Sequence, residues 1–212
     1  MQNQFMLPRL YAIVDAEALA TRNISLAAFA REFCAAGVTL LQYRDKNGSP
    51  QEILRATAIL RETMSGSKCR LIMNDRADLA LLANFDGVHV GQGDLSPTDE
   101  RRVVGPARIV GVSTHTPEQA RIADQSSADY IAIGPVFATG TKLNPEPVVG
   151  LEGVRRARTL TRKPLVAIGG ITRANARSVI EAGADSIAVI SSLFAADESP
   201  AQVARDFLAR LR

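Results

Sequence analysis

Short apolar runs recur along the chain at nearly even intervals: LYAIVD, VTLLQYR, RLIMND, GVHVG, IVGVS, YIAIG, LVAIGG and SIAVIS. Several are continuous and rich in Val, Ile and Leu, which predicts parallel strands covered on both faces; a sheet with one wet face would alternate. Between the runs lie segments of helical period with recognisable starts. SPQE at Ser49–Glu52, TPEQ at Thr116–Gln119 and SPAQ at Ser199–Gln202 each combine an N-cap hydroxyl, Pro at the first helical position and Glu or Gln at the third. Ser96-Pro97 begins another in the same way. AAGV at 35–38 and EAGAD at 181–185 put a glycine after an alanine-rich turn, where a helix C-terminus turns left-handed. Eight strands alternating with helices predict an α/β fold, one (β/α)8 TIM-type barrel over residues 1–212. A doubly wound open sheet is the alternative, and eight evenly sized units favour closure.

Composition narrows the class. Of 212 residues, 46% are hydrophobic, enough for a substantial core, while aromatics make up 5% with no Trp, too few for a platform that stacks single-stranded nucleic acid. The net charge of +3 comes from 21 arginines and 4 lysines against 22 acids, an excess suited to anionic small molecules and too weak to argue for nucleic acid. No apolar run reaches the ~20 residues that span a bilayer, and MQNQFMLPRL lacks the regions of a signal peptide. Cys34 and Cys69 have no Cys-x-x-Cys partner and suit a reducing compartment. The expectation is a cytoplasmic enzyme acting on small molecules, without nucleic-acid or membrane partners and compatible with a homo-oligomer.

In such a barrel, functional groups lie at the C-terminal ends of the strands. The second run ends in Gln42, Arg44 and Lys46, which share one face if the extension continues through Lys46, with Tyr43 and Asp45 on the other. The third ends in Asn74-Asp75, the fourth leads into GQGD with Asp94, and the fifth ends in Ser113. The sixth leads into GPVFATGTK, the seventh into Gly169-Gly170 and the eighth into Ser191-Ser192.

Three sub-sites emerge. Asp75 and Asp94 would share a hard divalent cation, unless Asp75 caps the following helix and Asp94 sits in a turn. AIGGI, followed by Thr172 opening a helix, and VISSLF form a phosphate cradle at the usual place for this fold, unless the glycines only permit tight turns. Thr139, Gly140, Thr141 and Lys142 could hold further phosphate oxygens. His89 is expected to pack inside the barrel and His115 to line the site. No lysine falls inside a run, which excludes a strand-borne Schiff base, and no His or Cys cluster suggests zinc. Two phosphate regions beside a Mg²⁺ pair suggest joining a pyrophosphorylated molecule to a phosphorylated one.

Seven landmarks occur in order: QYRDK (42–46), NDRADLA (74–80), GVHVGQGD (87–94), GVSTHT (111–116), GPVFATGTK (134–142), AIGGI (167–171) and AVIS (188–191). With them the chain resembles the thiamine phosphate synthase family over essentially its whole length. Ala138 departs from that pattern, standing where the family commonly has proline. The resemblance implies a transferase that joins 4-amino-2-methyl-5-hydroxymethylpyrimidine diphosphate to 4-methyl-5-hydroxyethylthiazole phosphate. Thiamine phosphate and pyrophosphate are released, and pyrophosphate departs first to leave a pyrimidine-methyl cation. It further implies that Gln42, Tyr43, Arg44, Asp45, Lys46, Asn74, Ser113 and Lys142 bind the pyrimidine diphosphate, with Arg44, Lys46, Ser113 and Lys142 acting in catalysis. Asp75 and Asp94 would hold Mg²⁺, and Thr139, Gly140, Thr141, Gly170, Ile190 and Ser191 the thiazole phosphate. The rival readings are a thiazole tautomerase, which needs no diphosphate site, and a catalytically silent phosphate-binding relative.

Overall fold

The computed structural model describes residues 6–140 and 146–212. The eight apolar runs form strands β1 (Leu10–Asp15), β2 (Leu40–Arg44), β3 (Arg70–Asn74), β4 (Gly87–Val90), β5 (Ile109–Thr114), β6 (Tyr130–Ile133), β7 (Leu165–Ile168) and β8 (Ser186–Val189). Each pairs in parallel with the next, and β8 returns to β1, closing a (β/α)8 barrel. The helices are α1 (Ala16–Ala20), α2 (Leu26–Ala36), α3 (Pro50–Thr63), α4 (Ala77–Leu82), α5 (Pro97–Val104), α6 (Pro117–Gln125), α7 (Gly150–Leu160), α8 (Ala176–Glu181) and α9 (Pro200–Arg210).

The predicted helix starts are where the cap chemistry puts them. Ser49 and Ser199 form complete capping boxes with Glu52 and Gln202, and Ser96 and Thr116 each accept from the backbone N–H three residues on. Gly37 closes α2 in the left-handed conformation. One start differs: Thr172 lies in a turn, and α8 begins four residues later at Ala176.

Strand residues divide by parity between two cores. Tyr11, Ile13, Leu40, Ile72, Ile109, Tyr130, Ala132, Val166 and Ala188 fill the barrel interior. The alternate positions, such as Ala12, Val14, Leu41, Tyr43 and Met73, pack against the helices. This parity decides which residues reach the mouth. Continuing the interior rows toward the C-terminal ends gives Asp15 above Ile13, Arg44 above Gln42, Asn74 above Ile72 and Ser113 above Gly111.

Candidate active site

On the β1–β4 side of the mouth the charged groups are paired. Asp15 stands directly across from Arg44 in the β1–β2 register, and their side chains form an ion pair with Asp15 almost fully buried. The extension expected to continue to Lys46 ends at Arg44. Asp45 accepts the backbone N–H groups of Asn47 at 3.1 Å and Gly48 at 2.7 Å, turning the chain. Lys46 therefore reaches the mouth through a turn, and its ammonium pairs with Asp75.

Two expected site residues lie elsewhere. Tyr43 has the outward parity, is buried between sheet and helices, and donates its hydroxyl to Asp45 at 3.3 Å. The Asp45 carboxylate is engaged by that hydroxyl and by the turn. Both residues shape the β2 loop rather than line the mouth.

Asp75 does not cap α4: the cap position belongs to Arg76, with no side-chain cap bond. Its backbone is left-handed, with φ of 60°, and its N–H donates to the His89 carbonyl at 2.8 Å. That conformation is costly for a residue with a side chain and concentrates at functional positions. The carboxyl is pushed above the ordinary carboxylate range chiefly by burial and also by Asp94, within hydrogen-bonding reach, while Lys46 opposes the shift. Asp94 does sit in a turn, accepting the Gly91 N–H at 2.8 Å. Beside this pair, Asn74 holds its Nδ2 buried with no partner among the described residues. An orphaned donor at a cleft is a group awaiting an acceptor.

Behind the rim, a row of polar side chains crosses the barrel interior. Gln42 Nε2 donates to the Tyr11 hydroxyl at 2.7 Å, and Tyr11 meets the Tyr130 hydroxyl at 2.9 Å. Tyr130 meets His89 Nδ1 at 2.9 Å, and His89 Nε2 meets Ser113 Oγ at 2.8 Å. His89 is thus packed inside the barrel, as expected. His115, also as expected, lines the cleft described next, with Nδ1 2.6 Å from the Gly134 carbonyl oxygen.

The β5–β8 side of the mouth is a cleft whose walls include Ser113, His115, Thr139, Gly170, Ile190 and Ser191. Gly170 has φ of 63°, and a Cβ there would lie 2.5 Å from the Ala138 carbonyl oxygen. The glycine thus serves the turn and the close approach of the β6 loop. After β8 the chain forms a short 3-10 turn, Ser191–Leu193, whose leading N–H groups have no partners within the turn. Gly140 is exposed at the end of the described β6 loop, and Thr141 and Lys142 lie outside the described residues.

A family model for thiamine monophosphate synthase matches residues 10–193. The thiamine-phosphate synthase of Koribacter versatilis is 56% identical over 210 residues, covering 98% of each chain. That of Chloroflexus aurantiacus is 42% identical over 190 residues, covering 90% of this chain and 87% of its own. The chain belongs to the thiamine monophosphate synthase family. Among solved structures, the thiamine phosphate pyrophosphorylase of Pyrococcus furiosus superposes with a TM-score of 0.84 at 32% identity, covering 96% of this chain and 95% of its own. A thiamine monophosphate synthase is a transferase.

Sequence reasoning missed Asp15, although it ends LYAIVD and the strand-end rule points to it. It also missed Tyr11 and Tyr130, whose hydroxyls belong to runs that read as plain core.

Proposed function

We propose that the protein condenses 4-amino-2-methyl-5-hydroxymethylpyrimidine diphosphate with 4-methyl-5-hydroxyethylthiazole phosphate, releasing pyrophosphate, with Mg²⁺ as cofactor. The observation that carries this reading is the division of the mouth. A rim of paired charges around Asp75 and Asp94 faces a cleft edged by Gly170 and the 3-10 turn at Ser191.

The donor set suits Mg²⁺. Asp75 and Asp94 supply two hard carboxylates within reach of each other, and among the described residues no third acid, His or Cys joins them. Two carboxylates, with water and phosphate oxygens completing the shell, are the usual protein share for this ion. Mg²⁺ held there would supply positive charge against the leaving diphosphate.

The chain's own residues do the rest. Lys46 and Arg44, each resting on a carboxylate, are cations that diphosphate oxygens would recruit. Asn74 Nδ2 offers its unmatched donor to the same group. Gln42 and Ser113 lie at the ends of the interior row, where a heteroaromatic ring would rest above the barrel core. Thr139 and backbone groups near Gly170, Ile190 and Ser191 would hold the thiazole phosphate. The thiazole nitrogen brings its own lone pair, so the reaction needs no strong base. It needs developing negative charge on the leaving group stabilised by positioned donors.

Incubating purified protein with both substrates, with and without Mg²⁺, tests this by chromatography. Thiamine phosphate should form only with the metal, and absence of product with Mg²⁺ present refutes the reading. Asp75→Ala and Asp94→Ala should each lose at least ~100-fold in kcat while keeping the fold. Near-native turnover in both would refute the metal assignment.

A further inference from the structure

The row Gln42–Tyr11–Tyr130–His89–Ser113 can carry its protons in one direction. An amide nitrogen has no lone pair to offer, so the Tyr11 oxygen accepts from Gln42 Nε2. The Tyr11 proton is then directed to its other neighbour, the Tyr130 oxygen. With its oxygen accepting, Tyr130 directs its own proton at His89 Nδ1, 2.9 Å away. A neutral imidazole whose Nδ1 accepts carries its proton on Nε2, which donates to Ser113 Oγ at 2.8 Å. The hydroxyl of Ser113 is left to donate onward, and Gln42 keeps its Oε1, an acceptor, outside the row.

The fold makes room for this row. Gly111 lies on β5 between the interior positions Ile109 and Ser113, and a Cβ there would sit 2.0 Å from Tyr130 Cζ and 2.4 Å from its hydroxyl. Burial pushes both phenols up, so they stay protonated donors. Alternate donors and acceptors in a dry interior polarise one another.

We infer that Tyr11, Tyr130 and His89 are positioning residues that set a fixed code at the ring subsite, an acceptor at Gln42 and a donor at Ser113. The inference deepens the proposed function and rests on it for the identity of the ring. A 4-aminopyrimidine answers the code: its exocyclic amine donates and its ring nitrogen accepts. The 4-hydroxy analogue, which exists mainly as the oxo tautomer, presents a carbonyl acceptor beside a ring N–H donor. It would meet acceptor with acceptor and donor with donor, and unmatched buried polar groups are what polar sites reject most strongly.

The test has two arms. The protein has two histidines, His89 and His115, so long-range proton–nitrogen NMR of the ligand-free protein, assigned with His115→Gln, reads the His89 tautomer directly. The expected result is the Nε2–H form in the wild type and a mixture in Tyr130→Phe. An Nδ1–H or doubly protonated His89 at pH 7 overturns the inference. The second arm is kinetic, using Tyr130→Phe and, at the other end of the row, Tyr11→Phe. Each should lower kcat/KM for the pyrimidine diphosphate by roughly tenfold or more and reduce discrimination against its 4-hydroxy analogue. The KM for the thiazole phosphate should stay unchanged. Unaltered discrimination in both variants overturns the inference. A wild-type protein that makes no thiamine phosphate refutes the proposed function, and the tautomer arm still decides the row.

Discussion

Glu100 is buried on α5, and its Oε2 has no partner among the described residues. Burial, then the charges of Asp94 and Asp75, push its carboxyl from an ordinary value of 4.5 up to about 7. Because the folded-state value lies above the unfolded one, the folded protein holds an extra proton between them. Stability therefore falls as pH rises from about 4.5 to about 7, and the loss is complete above that window. Glu100→Gln keeps the shape and removes the ionisation. In urea unfolding without divalent ions, the variant should be more stable than the wild type at pH 8 by about 3 kcal/mol. The difference should vanish near pH 4, below the window, and parallel curves at both pH values would contradict this account.

At the scale of elements, the helix α3 follows the QYRDK turn directly and begins at the Ser49–Glu52 capping box. Ser49→Ala should cost about 1 kcal/mol in unfolding free energy and leave kcat within twofold, as measured by denaturation and steady-state kinetics. A large kinetic loss would mean that the cap also positions Lys46. Such caps were legible in the sequence because they are local: a hydroxyl, a proline and an acid or amide within four residues state where a helix starts. The strands were legible because burial on both faces makes each a continuous apolar run. The strand-end rule put Asn74, Asp75 and Asp94 after the adjacent strands β3 and β4, whereas Lys46 meets Asp75 through the turn that follows β2. The rule could not supply pairings that depend on register or on crossing the barrel. Asp15 meets Arg44 because β1 and β2 align those two residues, and Tyr11 meets Tyr130 across the interior from 119 residues away in sequence. Tyr43 and Asp45 were assigned to the site because they sit inside a motif, yet the two-residue period turns Tyr43 toward α-helices and the turn consumes Asp45.

Across the molecule, several arginines sit in shallow helix-surface pairs such as Arg102–Asp99, Arg155–Glu152 and Arg177–Glu181, worth little individually. The mouth differs, because its cations neutralise buried or half-buried acids. If a diphosphate recruits Lys46, Asp75 is left facing Asp94 alone, a like-charge pair that Mg²⁺ would relieve. Diphosphate and metal should then strengthen each other's binding by one common factor, as linkage requires. Calorimetry with inorganic pyrophosphate and Mg²⁺, corrected for the complex they form in solution, should give a factor of ~10 or more. Affinities that do not depend on the other ligand would rule this out. The ring of strands has a consequence of its own. Since β1 bonds to β8, the strand the ribosome delivers last docks beside the one it delivered first. The charged rim and the cleft already adjoin along β4 and β5, and the seam sets β1 beside the turn that follows β8, so a nascent chain lacking β8 holds most of the mouth without its last wall.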